Sequence, residues 1–115
     1  MDAPTIDRAT YDELKDTAGA DFVAELVDTF LVEAPRLLDE LRGAYDKRDA
    51  DVFRRSAHSL KSNGNTFGAR HFAAMAKDLE LGGFGPVVAA GGAQLDALAA
   101  EYGRVAASLT ELRNA

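Results

Sequence analysis

Apolar residues recur three and four positions apart along most of this chain, and this spacing constrains its fold more than any other feature. The spacing matches the turn of an α-helix and places the apolar side chains on one face. Its most regular stretch lies near the C-terminus and contains Leu95, Leu98, Tyr102, Val105, Leu109 and Leu112. Such a seam is typical of helices packed in a bundle. No alternating strand pattern or β-hairpin turn competes with it.

Residues that begin helices divide the first half of the chain. Thr10 and Glu13 have the spacing of a capping box and predict a short first helix that ends near Gly19. Asp21 and Asp49 are placed to cap the second and third helices. We therefore expect one short helix followed by a long one.

Proline and glycine residues mark further boundaries. Pro35 falls inside the apolar stripe of the long second helix, where it should kink the helix and remove one backbone hydrogen bond. The Asn-Gly-Asn run at 63–65 predicts the end of the third helix. Pro86 suits the first position of a fifth helix. Gly91 and Gly92 weaken that helix early, so we expect it to begin as two pieces.

Together these signals predict an all-α fold, an antiparallel four-helix bundle with a short additional N-terminal helix. A chain of 115 residues is expected to form one domain over residues 1–115. With 13 Lys and Arg against 19 Asp and Glu, the charge argues against nucleic acid as a partner. No basic-then-apolar leader or long apolar stretch is present, so we expect a cytoplasmic protein that does not bind membranes.

The third predicted helix carries a histidine among cationic side chains. Arg54, His58 and Lys61 lie three and four positions apart and share one helix face with Ser62. The apolar and small residues of the same helix point toward the core: Phe53, Ala57, Leu60 and Gly64. The histidine is therefore predicted to face solvent.

This arrangement suits a group that accepts a phosphoryl anion. Nearby cations oppose a positive charge on the imidazole of His58, so we expect a neutral ring with a free lone pair for nucleophilic attack. After attack, Lys61 and Arg54 would stabilise the anionic product through charge-assisted hydrogen bonds of about 1.5–3 kcal/mol each. The same cations thus assist before and after transfer.

The segment resembles the histidine-containing phosphotransfer (Hpt) domain family. The signature is His-x-Leu-Lys, a small residue and, several positions later, a hydrophobic-Gly-Ala step. It is matched here by His58, Leu60, Lys61, Ser62, Phe67, Gly68 and Ala69. The resemblance continues into Leu79 and Glu80, and it covers most of the chain from about Phe22 to Leu112. Ser62 stands where glycine is commoner in the family.

The resemblance implies roles for individual residues. His58 is the expected phosphoacceptor, through the ring nitrogen farther from the backbone, and Lys61 is expected to stabilise the phosphoryl group. Small side chains at Ser62 and Gly64 would leave room for a partner. Gly68 is expected to let the fourth helix approach the third closely.

Two arginines flank this site by spacing alone. Arg54 and Arg55 would make the local surface basic and contribute to partner binding, although a solvated charge is the simpler interpretation of Arg55. A basic surface would suit the acidic aspartyl pocket of a partner.

The implied function is that of a phosphorelay intermediate. His58 would take a phosphoryl group from the phosphoaspartate of a response-regulator receiver domain and pass it to another receiver. Partners would include a hybrid or sensor histidine kinase, and the chain would be a monomeric carrier rather than an enzyme, with no cofactor or nucleotide site of its own. The receiver would supply the acidic cluster and its Mg²⁺.

Two other functions compete with this one. A helical adaptor would bind receivers without accepting phosphate, but it would not need both His58 and Lys61. A bundle enzyme with a metal site is disfavoured, because the sequence has no Glu-x-x-His motif, no cysteine and only two histidines, His58 and His71.

Overall fold

The chain folds into six helices in a computed structural model, which describes residues 5–115. In order they are α1 (Arg8–Ala18), α2 (Ala20–Lys47), α3 (Ala50–Thr66), α4 (Arg70–Leu81), α5 (Phe84–Ala89) and α6 (Ala93–Asn114). Within the described range there is no strand. Four of the helices, α2, α3, α4 and α6, form the bundle, with α1 as the short N-terminal helix. The predicted all-α bundle is confirmed.

An aromatic cluster at the centre ties the bundle helices together. The ring of Phe30 on α2 lies 5.3 Å from Phe67, 6.4 Å from Phe72 and 5.9 Å from Tyr102, measured between centroids. These tilted and edge-to-face contacts are the preferred geometries of aromatic pairs. The cluster joins α2, the end of α3, α4 and α6 in one core.

Pro35 lies inside α2, which continues through it to Lys47. Because proline has no N–H, the carbonyl of Leu31, four residues earlier, lacks its helical donor. The hydroxyl of Tyr102 on α6 donates a long hydrogen bond of 3.5 Å to that carbonyl. The lost backbone bond is thus partly replaced from a neighbouring helix.

Two of the predicted helix starts are wrong. The first helix begins at Arg8 after Asp7, one turn before the predicted cap Thr10, whose hydroxyl donates instead to the Asp7 carboxylate at 2.5 Å. The second begins at Ala20, so Asp21 lies in its first turn, where a negative charge favours the helix dipole. Asp49 caps α3 as predicted, since its carboxylate accepts from the N–H of Val52 at 3.2 Å.

The predicted end of α3 is also wrong. The helix runs through the Asn-Gly-Asn run to Thr66, and the chain turns at Gly68, which has a φ of 81°. Gly64 stays helical because it packs against the next helix rather than ending its own.

The break between the last two helices is confirmed. Gly91 and Gly92 both have positive φ, and they separate α5 from α6 as the sequence predicts. Pro86 is the third residue of α5 and not the first, since α5 begins at Phe84. The ring of Phe84 anchors α5 by packing 5.2 Å from the ring of Phe53 on α3.

Candidate functional site

The amphipathic pattern of α3 sets the position of its histidine. Phe53, Ala57, Leu60 and Gly64 are buried, so this face of α3 packs into the bundle. His58 lies on the opposite side with 55 % of its side chain exposed. The predicted outward orientation of the histidine is confirmed.

A carboxylate from α4 meets both polar residues of the site. Oε2 of Glu80 lies 2.6 Å from Nδ1 of His58, and Oε1 lies 2.7 Å from Nζ of Lys61. The first contact has hydrogen-bond geometry, and the second is an ion pair that lacks the directionality of a hydrogen bond. Only 10 % of the Glu80 side chain is exposed, so the α4 backbone and surrounding packing hold the carboxylate in place.

Glu80 is the site residue that sequence reasoning left without a role. It was part of the family resemblance, but 22 residues separate it from His58. Glu80 reaches His58 through the packing of α3 against α4. Gly64 contacts Phe72 near the turn that connects the two helices, and His58 contacts Glu80 farther from that turn. The two helices are therefore antiparallel, and antiparallel pairing brings the end of α4 beside His58.

The charge state of Glu80 determines which nitrogen of His58 is free. Lys61 holds the pKa of the Glu80 carboxyl below its usual range, with a further contribution from His58 and against the effect of burial. An ionised carboxylate can only accept hydrogen bonds, so Nδ1 of His58 must donate to it. In a neutral ring, this leaves the lone pair on Nε2, the nitrogen farther from the backbone.

The cations around His58 are less free than the sequence suggested. Arg54 and Arg55 both pair with Asp51, at 3.2 Å and 3.1 Å. The charged group in direct contact with the imidazole is the carboxylate of Glu80 rather than a cation. The picture of a histidine among cations alone is therefore wrong, because Asp51 pairs with both arginines and Glu80 contacts the ring.

Of the two small residues expected to leave room for a partner, only Ser62 lies on the surface, and Gly64 is in the core, as its helical spacing also predicts. Ser62 is exposed one turn after His58, as a residue that leaves room for a partner should be. Gly64 is buried, and a Cβ added there would lie 2.8 Å from Cδ1 of Phe72. Gly64, expected to face a partner, is thus the residue that lets α4 approach α3 closely.

Gly68 packs against the N-terminal segment instead of between α3 and α4. A Cβ added there would lie 2.9 Å from the backbone oxygen of Asp7 and from Cβ of Thr10. The Gly68 carbonyl accepts a hydrogen bond of 2.8 Å from the Asp7 N–H. Gly68 is a packing residue as predicted, but it packs against the start of α1 and not between α3 and α4.

A groove runs between α2 and α3 beside the exposed face of α3. It encloses about 290 Å³, and its lining residues are Leu26, Thr29, Phe30, Glu33, Asn63, Thr66 and Phe67. Leu26, Phe30 and Phe67 make it partly apolar. Phe22, one turn before Leu26 on α2, is half exposed. Its lining residue Asn63 follows the exposed Ser62 directly in sequence on α3.

Residues 5–115 contain neither a grouped set of metal ligands nor a helix that could span a membrane. No group of three or more histidine, aspartate or glutamate side chains there is placed to hold a metal ion. None of the helices in that range combines the length and apolar character needed to cross a membrane.

Comparisons with known proteins give one family match and one structural match. The family model described as the Hpt domain matches residues 25–115. The fold is similar to the crystal structure of histidine-containing phosphotransfer protein B from Pseudomonas aeruginosa PAO1, with a TM-score of 0.88 and 25 % sequence identity. The similarity covers 98 % of this chain and 97 % of that one. No curated protein sequence matches the chain.

Proposed function

Since this chain belongs to the Hpt domain family, it is a histidine phosphotransfer protein of two-component signalling, and we propose that His58 is the residue that carries the phosphoryl group. One observation carries this proposal: the Glu80 carboxylate lies 2.6 Å from Nδ1 of an imidazole that is 55 % exposed, and this contact leaves Nε2 as the nitrogen available for reaction. A nucleophile needs a free lone pair and access to its substrate, and Nε2 of His58 has both.

The transfer step follows from this geometry. The lone pair of Nε2 attacks the phosphorus of an aspartyl phosphate in line with the bond that breaks, and the bonding electrons leave on the aspartate carboxylate. Lys61 has three N–H donors, and its ion pair with Glu80 uses at most one of them, so at least two remain for the phosphoryl oxygens. The receiver is expected to bring the acidic cluster and Mg²⁺ that stabilise the transferring group.

A response-regulator receiver domain is the proposed partner on this face. It would cover His58 and Ser62 and extend along the groove between α2 and α3, where Leu26, Phe30 and Phe67 offer apolar contacts. A second receiver would use the same face to remove the phosphoryl group, and a hybrid or sensor histidine kinase would supply it upstream. The chain acts as a carrier in this scheme, because His58 is both the acceptor and the next donor.

Phosphotransfer from a phosphorylated receiver tests the proposal. The purified protein is mixed with receiver domains from the same genome that carry ³²P, and acid-labile label on the protein is measured. We expect label on the wild type and none on His58→Gln. His71→Gln is the matched control, since His71 is exposed on α4, and it should label like the wild type.

The outcomes separate the proposal from its competitor. Label that persists in His58→Gln, or disappears in His71→Gln, would contradict the assignment. Receiver binding without any label on the wild type would instead identify an adaptor. Circular dichroism of both variants serves as the fold control, because replacing one exposed side chain should change stability by less than about 1 kcal/mol.

A further inference from the structure

Asp51 holds the two arginines that precede His58 on α3. Its carboxylate pairs with Arg54 through Oδ1 at 3.2 Å and with Arg55 through Oδ2 at 3.1 Å. All three side chains are more than half exposed. Ion pairs between exposed groups contribute little to stability, because water and salt screen both charges. A stronger anion nearby could therefore take either arginine from Asp51.

Arg54 is the arginine that shares a cleft with the contacts of His58. The cleft has a volume of about 260 Å³ and lies between the start of α3, the end of α4 and α5. Its lining residues include Arg54 and Glu80 but not Arg55. Since Glu80 also contacts the imidazole of His58 at 2.6 Å, Arg54 lies on the side of α3 that faces the site.

The spacing along α3 places Arg54 between two anions once His58 is phosphorylated. Asp51 lies three positions before Arg54 and His58 lies four positions after it, and residues at these spacings are neighbours on a helix. Helical side chains also lean toward the N-terminus, so the side chain of His58 extends over the turn that carries Arg54. A phosphoryl group on Nε2 would come within reach of the guanidinium.

Building on the proposed function, we propose that Asp51 and the phosphoryl group on His58 compete for Arg54. Before phosphorylation Arg54 stays paired with Asp51, and afterwards it moves to the phosphoryl oxygens beside Lys61. The phosphoryl group carries more than one negative charge and three acceptor oxygens, whereas Asp51 shares a single charge between two arginines. The planar guanidinium can also donate two parallel hydrogen bonds to phosphoryl oxygens.

This competition sets how strongly the protein retains the phosphoryl group. Phosphohistidine gains a contact with Arg54 only as the pair between Arg54 and Asp51 breaks, so it is stabilised less than a free arginine would stabilise it. Asp51 lies about 10 Å from His58 along the helix axis, where physiological salt screens its direct effect on the phosphoryl group. Asp51 is therefore a positioning residue that acts through Arg54 and favours passing the group on.

The phosphoryl group reports the competition without any receiver. The protein is phosphorylated with phosphoramidate, a small phosphoryl donor, and the pKa of the phosphoryl group is measured by ³¹P NMR at physiological salt. A nearby cation favours the more highly charged form of the group. Its pKa should therefore be higher in Arg54→Gln than in the wild type, and lower in Asp51→Asn, where the arginine is released.

Reversible transfer gives the second measurement. Each phosphorylated protein is mixed with the same Mg²⁺-loaded, slowly hydrolysing receiver domain, and the ratio of label on the two partners is measured at equilibrium. Arg54→Gln should shift this ratio toward the receiver by about two- to fivefold, the size expected of one exposed charge contact. Asp51→Asn should shift it toward the histidine by a similar factor.

The double variant shows whether Asp51 acts through Arg54. With no arginine at position 54 to release, Asp51→Asn should leave both the pKa and the ratio of Arg54→Gln unchanged. Asp21→Asn is the matched control for Asp51→Asn, since both aspartates are exposed second residues of their helices. Arg8→Gln is the control for Arg54→Gln, because Arg8 is an exposed arginine paired with Asp12 on α1. Both controls should match the wild type, and circular dichroism checks the fold of every variant.

A wild-type pKa and ratio in Arg54→Gln, or in Asp51→Asn, would overturn the proposal. Equal effects of Asp51→Asn with and without Arg54 would also overturn it, since Asp51 would then act through Arg55 or directly. Wild type that takes label neither from phosphoramidate nor from any receiver would contradict the proposed function, and this inference with it. The titration needs no receiver, so a failure confined to the Arg54 and Asp51 variants leaves the proposed function intact.

Discussion

The α3–α4 pair has a packed end, where Gly64 and Phe72 meet beside Tyr102, and a polar end, where His58 and Lys61 meet Glu80. At the packed end the helices approach so closely that one added carbon would press on an aromatic ring. At the polar end, two of the three side chains are at least partly exposed and are joined by charge.

The difference separates what holds the fold from what performs the transfer. Tight packing depends on shape, so changes at the packed end should lower the free energy of unfolding. Charge contacts between partly exposed groups contribute little to stability, so changes at the polar end should alter transfer and leave the fold nearly intact. Each prediction below tests this division.

The largest effect is expected from crowding the polar end. Ser62→Trp places a large ring one turn from His58, where a receiver must approach within reacting distance. A displacement of about 1 Å can cost about a hundredfold in rate, so transfer should fall by at least that factor. The measurement is stopped-flow or radiolabel transfer from a phosphorylated receiver, with circular dichroism to show that the domain stays folded. Normal transfer would mean that the partner does not cover this face.

Removing the lysine of the polar end should have the next largest effect. Lys61→Ala deletes one charge-assisted contact to the phosphoryl group, so phosphohistidine formation or lifetime should fall about tenfold to a hundredfold, or about 1.4–2.7 kcal/mol. The domain should stay folded, since Glu80 keeps its contact with His58 when the lysine is removed. If Lys61→Ala forms phosphohistidine at the wild-type rate and its phosphohistidine has the wild-type half-life, Lys61 does not stabilise the phosphoryl group.

Whether a feature of these two ends can be predicted from the sequence depends on how far apart in the chain its interacting residues lie. Helical spacing is a local property, and it correctly predicted the bundle, the cap at Asp49 and the outward position of His58. The break before α6 was predicted for the same reason, since Gly91 and Gly92 act on their own backbone.

Apart from the misplaced helix starts, the features that the sequence does not predict are contacts between distant segments. Glu80 reaches His58 only because α4 returns antiparallel to α3. Gly64 has the residue type of a helix end, yet the ring of Phe72 makes it a packing position inside the helix. Gly68 contacts Asp7, which lies near the start of the chain. A single sequence gives residue types and periods but not these partners.

A larger side chain at Gly64 should disrupt the packing of α3 against α4 at the packed end. Gly64→Val adds atoms where even a Cβ would lie 2.8 Å from Phe72, and overpacking of this kind costs about 1–3 kcal/mol. We expect a lower midpoint in urea unfolding, and phosphotransfer per folded molecule close to that of the wild type.

Gly103→Ala is the matched control for Gly64→Val. A Cβ at Gly103 on α6 meets nothing within 4 Å, so this change should stabilise the helix by about 0.5–1 kcal/mol. If Gly64→Val left stability unchanged but abolished transfer, Gly64 would belong to the partner surface after all, and the division between the two ends would fail.

The smallest expected effect concerns a single hydroxyl at the packed end. The ring of Tyr102 lies tilted against that of Phe72, and its hydroxyl donates to the Leu31 carbonyl that Pro35 leaves without a helical donor. Tyr102→Phe keeps the ring and removes only the donor, so we expect a loss of about 0.5–1 kcal/mol in the free energy of unfolding.

A double-mutant cycle with Pro35→Ala shows whether the loss of stability in Tyr102→Phe comes from the hydrogen bond to the Leu31 carbonyl. Alanine at position 35 restores an N–H that donates to the Leu31 carbonyl. The carbonyl then depends less on the Tyr102 hydroxyl as a hydrogen-bond donor. Tyr102→Phe should therefore cost less in the Pro35→Ala background, with a coupling of about 0.5 kcal/mol between the two sites. Urea unfolding of the four proteins measures it. Equal costs in both backgrounds would assign the role of Tyr102 to its ring alone, and the packed end would then depend on shape without any contribution from this hydrogen bond.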